Sequence, residues 1–440
     1  MKCLILAAGE GRRICGEGES KPLIPLLGVP LIERVVRSAL ESGADEFYVV
    51  TGYEGERVRD FLKRLEERLK IRITPLVNDR WEEGNGLSVL KARDVLDEPF
   101  LLLMGDHLFD PQMARALIVH EPPEGEIALV VDEDLANPLV DTEDVTRVKV
   151  EDGRIRDIGK GLADFNGFDT GIFLCSSAIF NALDQSMEKD GDTTLSGGVR
   201  VLAAEGRANA IAVSGFWIDV DDPPALKRAE KALLDRLRDK PNDGPVSRYL
   251  NRPLSALLSR RLVKVGIAPN QISLFSFLFS LVAAGLFALG GYPALAAGGI
   301  LAQLASIIDG CDGEVARLKY RTSEFGGWLD AVLDRYADAF LLFGMTWHLM
   351  ATKASGLILF TGFMAIIGSF MLSYTADKYD SLMLERIETG GGGRLRLGRD
   401  VRVFIIFLGA VTNQVLPALA LIAIAMNLET VRRIRVAHGR

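Results

Sequence analysis

The stretch DGCDGEVARLKYRTSEFGGWLDAVLD, residues 309–334, places four aspartates directly after a long apolar run. Residues 265–308 carry no charged side chain and are long enough for two membrane-spanning helices of about 20 residues each. Asp309 and Asp312 are three positions apart, and Asp330 and Asp334 are four apart, so each pair shares one face of a helix. A helical hairpin would bring the four carboxylates together, and carboxylates this close to lipid indicate a functional site.

The four carboxylates predict a metal site. An oxygen-only cluster suits one or two Mg²⁺ or Mn²⁺ ions, which relieve the repulsion within it. The neighbouring glycines leave room for a phosphate-bearing ligand to approach the backbone, and Arg317 is placed to hold a phosphate through a forked contact. The structural alternative, a set of helix-capping and salt-bridged carboxylates, explains four of them in register less well.

The same residues resemble the signature of the CDP-alcohol phosphotransferases, D-x2-D-G-x2-A-R-x8-G-x3-D-x3-D, without a departure. The resemblance implies a membrane domain of six spans, usually homodimeric, in which an alcohol attacks the β-phosphorus of a CDP-alcohol and CMP leaves. It implies that Asp309, Asp312 and Asp330 hold metal on the pyrophosphate. Asp334 would either complete the metal site or deprotonate the acceptor hydroxyl. The residues implied to lie against the CDP are Gly313, Ala316, Arg317 and Gly326.

Basic residues predict the topology of the C-terminal half. They cluster before the first apolar run, between the second and third, between the fourth and fifth, and at the C-terminus. If all four clusters are cytoplasmic, the last run, 403–428, must cross twice, and six spans follow. We therefore expect a multi-pass cell-membrane protein with both active sites on the cytoplasmic side. Its parts would be an α/β domain at 1–230, a linker with an interfacial amphipathic helix at 231–265, and an all-α domain of six transmembrane helices at 266–440.

The N-terminal half begins with KCLILAAGEGRR, residues 2–13, an apolar strand followed by a glycine-rich turn. Backbone amides of such a turn bind phosphates, and Arg13 and Lys21 would neutralise their charge. The apolar stretch is too short for a signal peptide, so we expect this half in the cytoplasm. The net charge of −8 says little about nucleic acid, and no basic aromatic patch favours binding it, so we expect no nucleic-acid partner. The four cysteines have no metal-ligand spacing.

This half resembles the sugar-phosphate nucleotidyltransferases, whose L-A-A-G-x-G-x-R and K-P-L motifs occur at 6–13 and 21–23. The resemblance implies a Rossmann-like fold, a metal ion held by Asp106 and Asp219, and sugar-phosphate contacts at Lys160 and Asp169. The metal, Arg13 and Lys21 would stabilise the charge that develops on the nucleoside triphosphate. The implied nucleotide contacts are Leu6, Ala7, Ala8, Gly9, Glu10, Gly11, Asn85, Gly86 and Ser88.

Three further polar residues lie near Asp106 and Asp219 in the sequence. His107, next to Asp106, is compatible with a ligand contact or with a local hydrogen bond. Asp221 and Asp222 precede a helical pattern, and we expect them at its solvated start.

The two halves together predict consecutive steps, because a cytidylyltransferase makes the CDP-alcohol that the membrane half uses. The pairing resembles the bifunctional family that combines an inositol-1-phosphate cytidylyltransferase with a di-myo-inositol phosphate phosphate synthase. The resemblance implies CTP, inositol-1-phosphate and CDP-inositol as substrates and a soluble compatible solute as product. Basic residues between the fourth and fifth spans would hold the acceptor phosphate, namely Lys378, Arg386, Arg399 and Arg402. The alternatives are a phospholipid synthase and a membrane enzyme whose soluble half only senses nucleotide.

Overall fold

The computed structural model describes residues 1–16, 18–120, 123–237, 244–387 and 398–438, with the backbone alone at 377–387 and 436–438. The chain divides into two compact units, Met1–Ala232 and Leu233–Arg440. The first unit is α/β and the second is helical, as the sequence predicts.

The first unit alternates strands and helices. Its strands are β1 (Lys2–Ala7), β2 (Pro25–Leu26), β3 (Val29–Pro30), β4 (Glu46–Thr51), β5 (Arg72–Val77), β6 (Phe100–Met104), β7 (His107–Phe109), β8 (Ile127–Asp132), β9 (Arg147–Glu151), β10 (Arg154–Gly159), β11 (Gly167–Cys175), β12 (Ala208–Ala212) and β13 (Trp217–Asp219). Its helices are α1 (Leu31–Ser42), α2 (Gly55–Leu69), α3 (Gly86–Leu90), α4 (Pro111–His120), α5 (Ala178–Asp190), α6 (Leu195–Ala204) and α7 (Pro223–Arg236), with a 3₁₀ turn at Lys21–Leu23.

One large sheet positions the first site. Its strand order is β5-β4-β1-β6-β11-β8-β12-β10-β9, in which β5, β4, β1 and β6 run parallel. Strands β1 and β6 are apolar and almost wholly buried, which is typical of parallel strands covered on both faces. Their carboxyl ends are adjacent, since the Gly105 amide donates to the Leu6 carbonyl at 2.9 Å. The glycine-rich turn after β1 and Asp106 after β6 therefore share one edge of the sheet.

A short ribbon brings the second aspartate to the same edge. Strand β13 pairs antiparallel with β7, and Asp219 lies opposite His107. Trp217 anchors the ribbon, because its ring is buried and its Nε1 donates to Asp132 Oδ2 at 2.7 Å.

The second unit is a bundle of long helices preceded by a shorter one. A π-helical turn at Ser247–Asn251 leads into α8 (Arg252–Val265). The bundle helices are α9 (Pro269–Ala288), α10 (Tyr292–Leu318), α11 (Glu324–Thr352), α12 (Gly356–Ile387), α13 (Arg399–Val411) and α14 (Val415–His438). The turn between α9 and α10 lies in the GGYP stretch at 290–293, with Gly290 and Gly291 at φ of +81° and +76°.

Four of the described helices are long and apolar enough to cross a membrane. They are Pro269–Ala288, Tyr292–Leu318, Gly356–Ala376 and Val415–Arg435. Helix α11 has 29 residues but carries several charges, and α13 has only 13 residues, or about 20 Å. The last apolar run is divided at Thr412–Gln414, where Asn413 has a φ of +56°. These helices indicate a membrane protein, and the count of six spans stays a prediction.

Close packing between α9 and α11 gives the first testable prediction. A Cβ at Gly344 would lie 2.6 Å from the backbone oxygen of Ala284, whereas one at Gly285 would meet nothing within 4 Å. We expect Gly344→Ala to lower the free energy of unfolding by about 1–3 kcal/mol through overpacking. Gly285→Ala, the matched control, should leave it unchanged or raise it by roughly 0.5–1 kcal/mol. Thermal unfolding in detergent measures both, and equal effects would contradict the packing.

Candidate active sites

The first site is built around Lys21. The chain of Lys21 crosses the glycine-rich turn so closely that a Cβ at Gly11 would lie 2.6 Å from that of Lys21, and Gly11 has a φ of +70°. Only glycine fits both demands. The Nζ of Lys21 lies 2.5 Å from Asp106 Oδ2 and 4.0 Å from Asp219 Oδ1. The structure thus brings together three residues that the sequence predicts to act together.

His107 links the aspartates to strand β11. Its Nδ1 lies 2.8 Å from the Thr170 carbonyl, and its Nε2 lies 3.5 Å from Asp219 Oδ2. Burial lowers the pKa of His107, but the charge and hydrogen bond of Asp219 outweigh burial and raise it to about 10. Both interpretations of His107 left open by the sequence are thus compatible with its position.

Arg13 and Lys160 come together through a carboxylate that sequence reasoning missed. Asp144 Oδ1 accepts from Lys160 Nζ at 2.7 Å, and its Oδ2 lies 2.7 Å from Arg13 Nη1. Burial would raise the pKa of Asp144, but the hydrogen bonds from Lys160 and Arg13 lower it to about 2. Asp144 lies in the loop between β8 and β9, which carries no recognisable motif.

Asp221 is also part of this site, so its expected place at a solvated helix start is wrong. Its carboxylate is bonded to Arg13, and burial followed by the neighbouring Asp219 raises its pKa to about 6. Asp222 does start α7, since it accepts from the Ala225 amide. The signal for Asp221 was its spacing, because residues two apart on an extended segment point to the same side.

Some of the residues predicted to contact the nucleotide line a cleft, and others are buried. A cleft is lined by Glu10, Gly11, Arg13, Lys21 and Asp221, together with Arg12, Trp81 and Glu82, which sequence reasoning missed. Leu6, Ala7 and Ala8 are buried below the turn.

In the segment 78–88, the predicted contacts make hydrogen bonds within the protein. Ser88 Oγ accepts from Asn78, Asn85 Oδ1 accepts from the Leu195 amide, and the Gly86 amide donates to the Thr193 carbonyl. Asp169 Oδ1 accepts from the Gly171 amide, and burial raises the pKa of Asp169 to about 6.

The second site lies where α10 and α11 meet. Carboxylate oxygens of Asp309, Asp330 and Asp334 lie within 4.8 Å of one another. Two serines of α9 hold the acidic face of α10, since Ser273 Oγ donates to Asp312 at 2.5 Å and Ser276 Oγ to Asp309 at 3.0 Å. Sequence reasoning missed these serines, although their spacing of three on an apolar helix is a recognisable signal.

Arg399 lies inside the aspartate cluster. Its Nη1 is 2.6 Å from Asp309 Oδ2 and 2.8 Å from Asp334 Oδ1. Arg402 lies one turn further along α13, and its Nη2 donates to Asp338 at 2.7 Å. Asp338 is on the same helix as Asp334 and lies outside the aspartate signature.

Other predicted residues of this half lie around the same helix ends. The Gly313 amide donates to Asp312, Ala316 is buried, and a Cβ at Gly313 would lie 3.2 Å from Arg317 Nη1. The Gly326 amide donates to the N-cap hydroxyl of Ser323 at 3.0 Å. Lys378 and Arg386 lie outside the described side chains.

Both carboxylate groups fit a divalent cation. Asp106, His107 and Asp219 form the first candidate ligand set, and Asp309, Asp330 and Asp334 the second. In each set one buried carboxylate oxygen, Oδ1 of Asp219 or of Asp330, has no hydrogen-bond partner among the described residues. Carboxylate oxygens are the ligands that Mg²⁺ and Mn²⁺ prefer.

Comparisons with known proteins find two family models in the chain, whose matches overlap at residues 266–307. The model of the MobA-like NTP transferase domain matches residues 3–307, and that of CDP-alcohol phosphatidyltransferase matches residues 266–426. The bifunctional IPC transferase and DIPP synthase of Rubrobacter xylanophilus is 37% identical over 438 residues, which cover 98% of this chain and 95% of the relative. The chain belongs to this bifunctional family. It is therefore a transferase, with a nucleotidyltransferase-like N-terminal fold.

Two further proteins are similar to one half each. The archaetidylinositol phosphate synthase of Pyrococcus horikoshii is 33% identical over 195 residues, 43% of this chain and 94% of its own length. The solved inositol-1-phosphate CTP transferase of T. maritima covers 52% of this chain and 93% of its own, at 25% identity and a TM-score of 0.47.

The two ligand sets predict two independent classes of metal site. We expect the purified full-length protein to bind Mn²⁺ at both, because each set holds its own carboxylates. Asp106→Asn should remove one class and Asp330→Asn the other, as titration followed by electron paramagnetic resonance of free Mn²⁺ would measure. Asp97→Asn, at a side chain 96% exposed, is the control and should leave both. Loss of both classes in either site variant would contradict two separate sites.

Proposed function

We propose that the chain catalyses two consecutive reactions. The first unit joins CTP and inositol-1-phosphate to give CDP-inositol and pyrophosphate. The second transfers the phosphoinositol group of CDP-inositol to a second inositol-1-phosphate, giving a phosphorylated di-myo-inositol phosphate and CMP. The observation that carries this proposal is the full-length similarity to the bifunctional IPC transferase and DIPP synthase, together with the grouping of both sets of predicted residues.

In the first reaction, the phosphate of inositol-1-phosphate attacks the α-phosphorus of CTP. The attacking group is already an anion, so no protein base is required. Lys21 and Arg13 neutralise charge on the triphosphate, while Lys160, which Asp144 joins to Arg13, holds the incoming phosphate. Because one carboxylate links these two cations, we infer that the two substrates meet side by side.

In the second reaction, a hydroxyl of the acceptor attacks the β-phosphorus of CDP-inositol, and the anhydride bond to CMP breaks. Asp334 takes the hydroxyl proton, and Arg399 holds the acceptor phosphate. The contact between Asp334 and Arg399 supports these two roles, because an acceptor whose phosphate is bound by Arg399 has its hydroxyls beside Asp334. In both reactions the aspartates, Asp106 and Asp219 in the first unit and Asp309, Asp312 and Asp330 in the second, would hold a divalent cation, which would neutralise phosphate charge when bound.

The same proposal includes the membrane topology and the oligomeric state of the protein. The second unit spans the membrane six times and forms a homodimer, with both sites at the cytoplasmic face. The CTP used by the first unit, the CDP-inositol used by the second and the inositol-1-phosphate used by both are then in one compartment, and the final product is a soluble compatible solute.

One relative favours a second candidate for the membrane half. The similarity to an archaetidylinositol phosphate synthase covers 94% of that protein, and its name denotes a lipid product. A lipid-synthase reading predicts that labelled product partitions into the organic phase. The inositol-phosphate reading predicts a water-soluble phosphodiester from labelled CTP and inositol-1-phosphate.

Single substitutions should separate the two reactions. Lys21→Met should lower CDP-inositol formation by about 10²–10³-fold, because it removes a cation aimed at the developing charge. The same variant should still convert supplied CDP-inositol. Asp330→Asn should do the opposite, so that CDP-inositol accumulates from CTP. Chromatography of ¹⁴C-labelled inositol phosphates measures both.

The control for this pair is Lys149→Met, at a partly exposed lysine of β9 that pairs with Asp164 at 2.8 Å and belongs to neither predicted site. It should leave both reactions intact. If Lys21→Met left pyrophosphate release unchanged, the first unit would not be acting as a cytidylyltransferase, and the nucleotide-sensing alternative would be favoured.

A further inference from the structure

Asp338 is a buried carboxylate outside the aspartate signature. It lies one helical turn beyond Asp334 on the same face of α11, and only 3% of its surface is exposed. A buried carboxylate is costly unless it is paired and hydrogen-bonded. Asp338 accepts from Arg402 Nη2 at 2.7 Å, from Ser369 Oγ at 3.1 Å and from Arg399 Nε at 3.4 Å.

Arg402 is placed to support the site rather than to meet a substrate. It is 3% exposed, and its Nη2 contacts Asp338 and, at 3.4 Å, Ser373 Oγ. The positive charge of Arg402 is thus offset by Asp338, which is not one of the clustered aspartates. Three arginines are predicted for the acceptor phosphate; of the two whose side chains the structure describes, Arg399 contacts the cluster and Arg402 contacts Asp338.

Arg399 is held along two edges of its guanidinium. Nη1 contacts Asp309 and Asp334, and Nε contacts Asp338. Among the described residues, none is hydrogen-bonded to its Nη2. A guanidinium is planar and rigid, so fixing Nε and Nη1 also fixes the direction in which Nη2 donates.

We propose that Asp338 is a positioning residue of the transfer reaction. Through Nε of Arg399 it sets the plane of that guanidinium, so that Nη2 meets the phosphate of the acceptor beside Asp334, and through Arg402 it keeps its own charge balanced. This inference rests on the proposed transfer to inositol-1-phosphate. It assigns Arg402 to supporting Asp338, and it makes Arg399 the arginine that contacts the acceptor.

The test is a comparison of Asp338→Asn with the wild-type protein in the transfer reaction. The expected result is a rise of tenfold or more in the KM for inositol-1-phosphate with an unchanged KM for CDP-inositol, because the donor is held by other residues. CDP-inositol formation from CTP by the same preparation should be unaffected. Equal KM values for inositol-1-phosphate in the two proteins would overturn the proposal.

A double variant separates positioning from stability. Removing one member of a buried ion pair leaves an uncompensated charge, whereas removing both members is far less costly. Asp338→Asn with Arg402→Gln should therefore recover the melting temperature lost in Asp338→Asn alone. The KM for inositol-1-phosphate should stay raised, because Arg399 Nε still lacks its carboxylate. Recovery of that KM with the melting temperature would assign Asp338 a structural role only.

Ser369→Ala covers the case in which Asp338→Asn does not fold. It removes one hydrogen bond to Asp338 and should raise the KM for inositol-1-phosphate about two- to threefold without changing that for CDP-inositol. An unchanged KM for inositol-1-phosphate there would count against the proposal. Failure of the wild-type protein to form any phosphodiester would instead contradict the proposed function.

Discussion

The contact of Arg399 with Asp309 and Asp334 is the constraint on which the second unit depends. Three carboxylates within 4.8 Å of one another, at the end of an apolar helix pair, repel each other strongly unless a cation lies among them. Arg399 of α13 supplies that positive charge. Asp338 forms ion pairs both with Arg399 and with Arg402. These contacts of Arg399 tie the short helix α13 to α10 and α11. The acidic motif therefore dictates the packing of a helix that is distant from it in the sequence.

A second buried ion pair ties α8 to the same acidic helix. Glu314, with no exposed surface, lies between the signature residues Gly313 and Ala316 and accepts from Arg252 at 3.0 Å, from Ser255 at 2.6 Å and from Ser259 at 2.7 Å. All three donors are on α8, which the sequence predicted as an interfacial amphipathic helix. Its polar side is therefore directed at the acidic helix. Replacing Glu314 alone would remove the carboxylate that offsets the buried charge of Arg252, and that loss is more costly than the pair itself is stabilising.

Periodicity and motif spacing were sufficient to predict the elements that carry the chemistry. The three- and four-residue spacings of the aspartates follow from helical geometry, and the buried strands β1 and β6 follow from their apolar runs. Contacts between distant segments were beyond such reasoning. Arg399 and Asp338 are 61 residues apart, and Asp144 lies in a loop without a motif, so only the folded chain brings them to their sites. The prediction for Asp221 was wrong because a residue just before a helix can equally well belong to the site. Its role depends on Arg13, which also contacts Asp144, and Asp144 is distant from Asp221 in the sequence.

The two units, of unrelated fold, share one electrostatic arrangement. Lys21 lies between Asp106 and Asp219, and Arg399 lies between Asp309 and Asp334, so in each unit a basic side chain is already in place among the carboxylates. In the proposed reactions the carboxylates would hold a divalent cation, and Lys21 or Arg399 would exchange its carboxylate partners for the substrate phosphate. Such an exchange conserves the net balance of charge within a partly buried site. It requires little reorganisation, because the dipoles and charges that the transition state needs are fixed by the fold beforehand. The choice of a lysine in the first unit and an arginine in the second suits the proposed ligands. A single ammonium on a flexible chain can follow a triphosphate. A planar guanidinium can contact two aspartates at once and still present one edge to a phosphate.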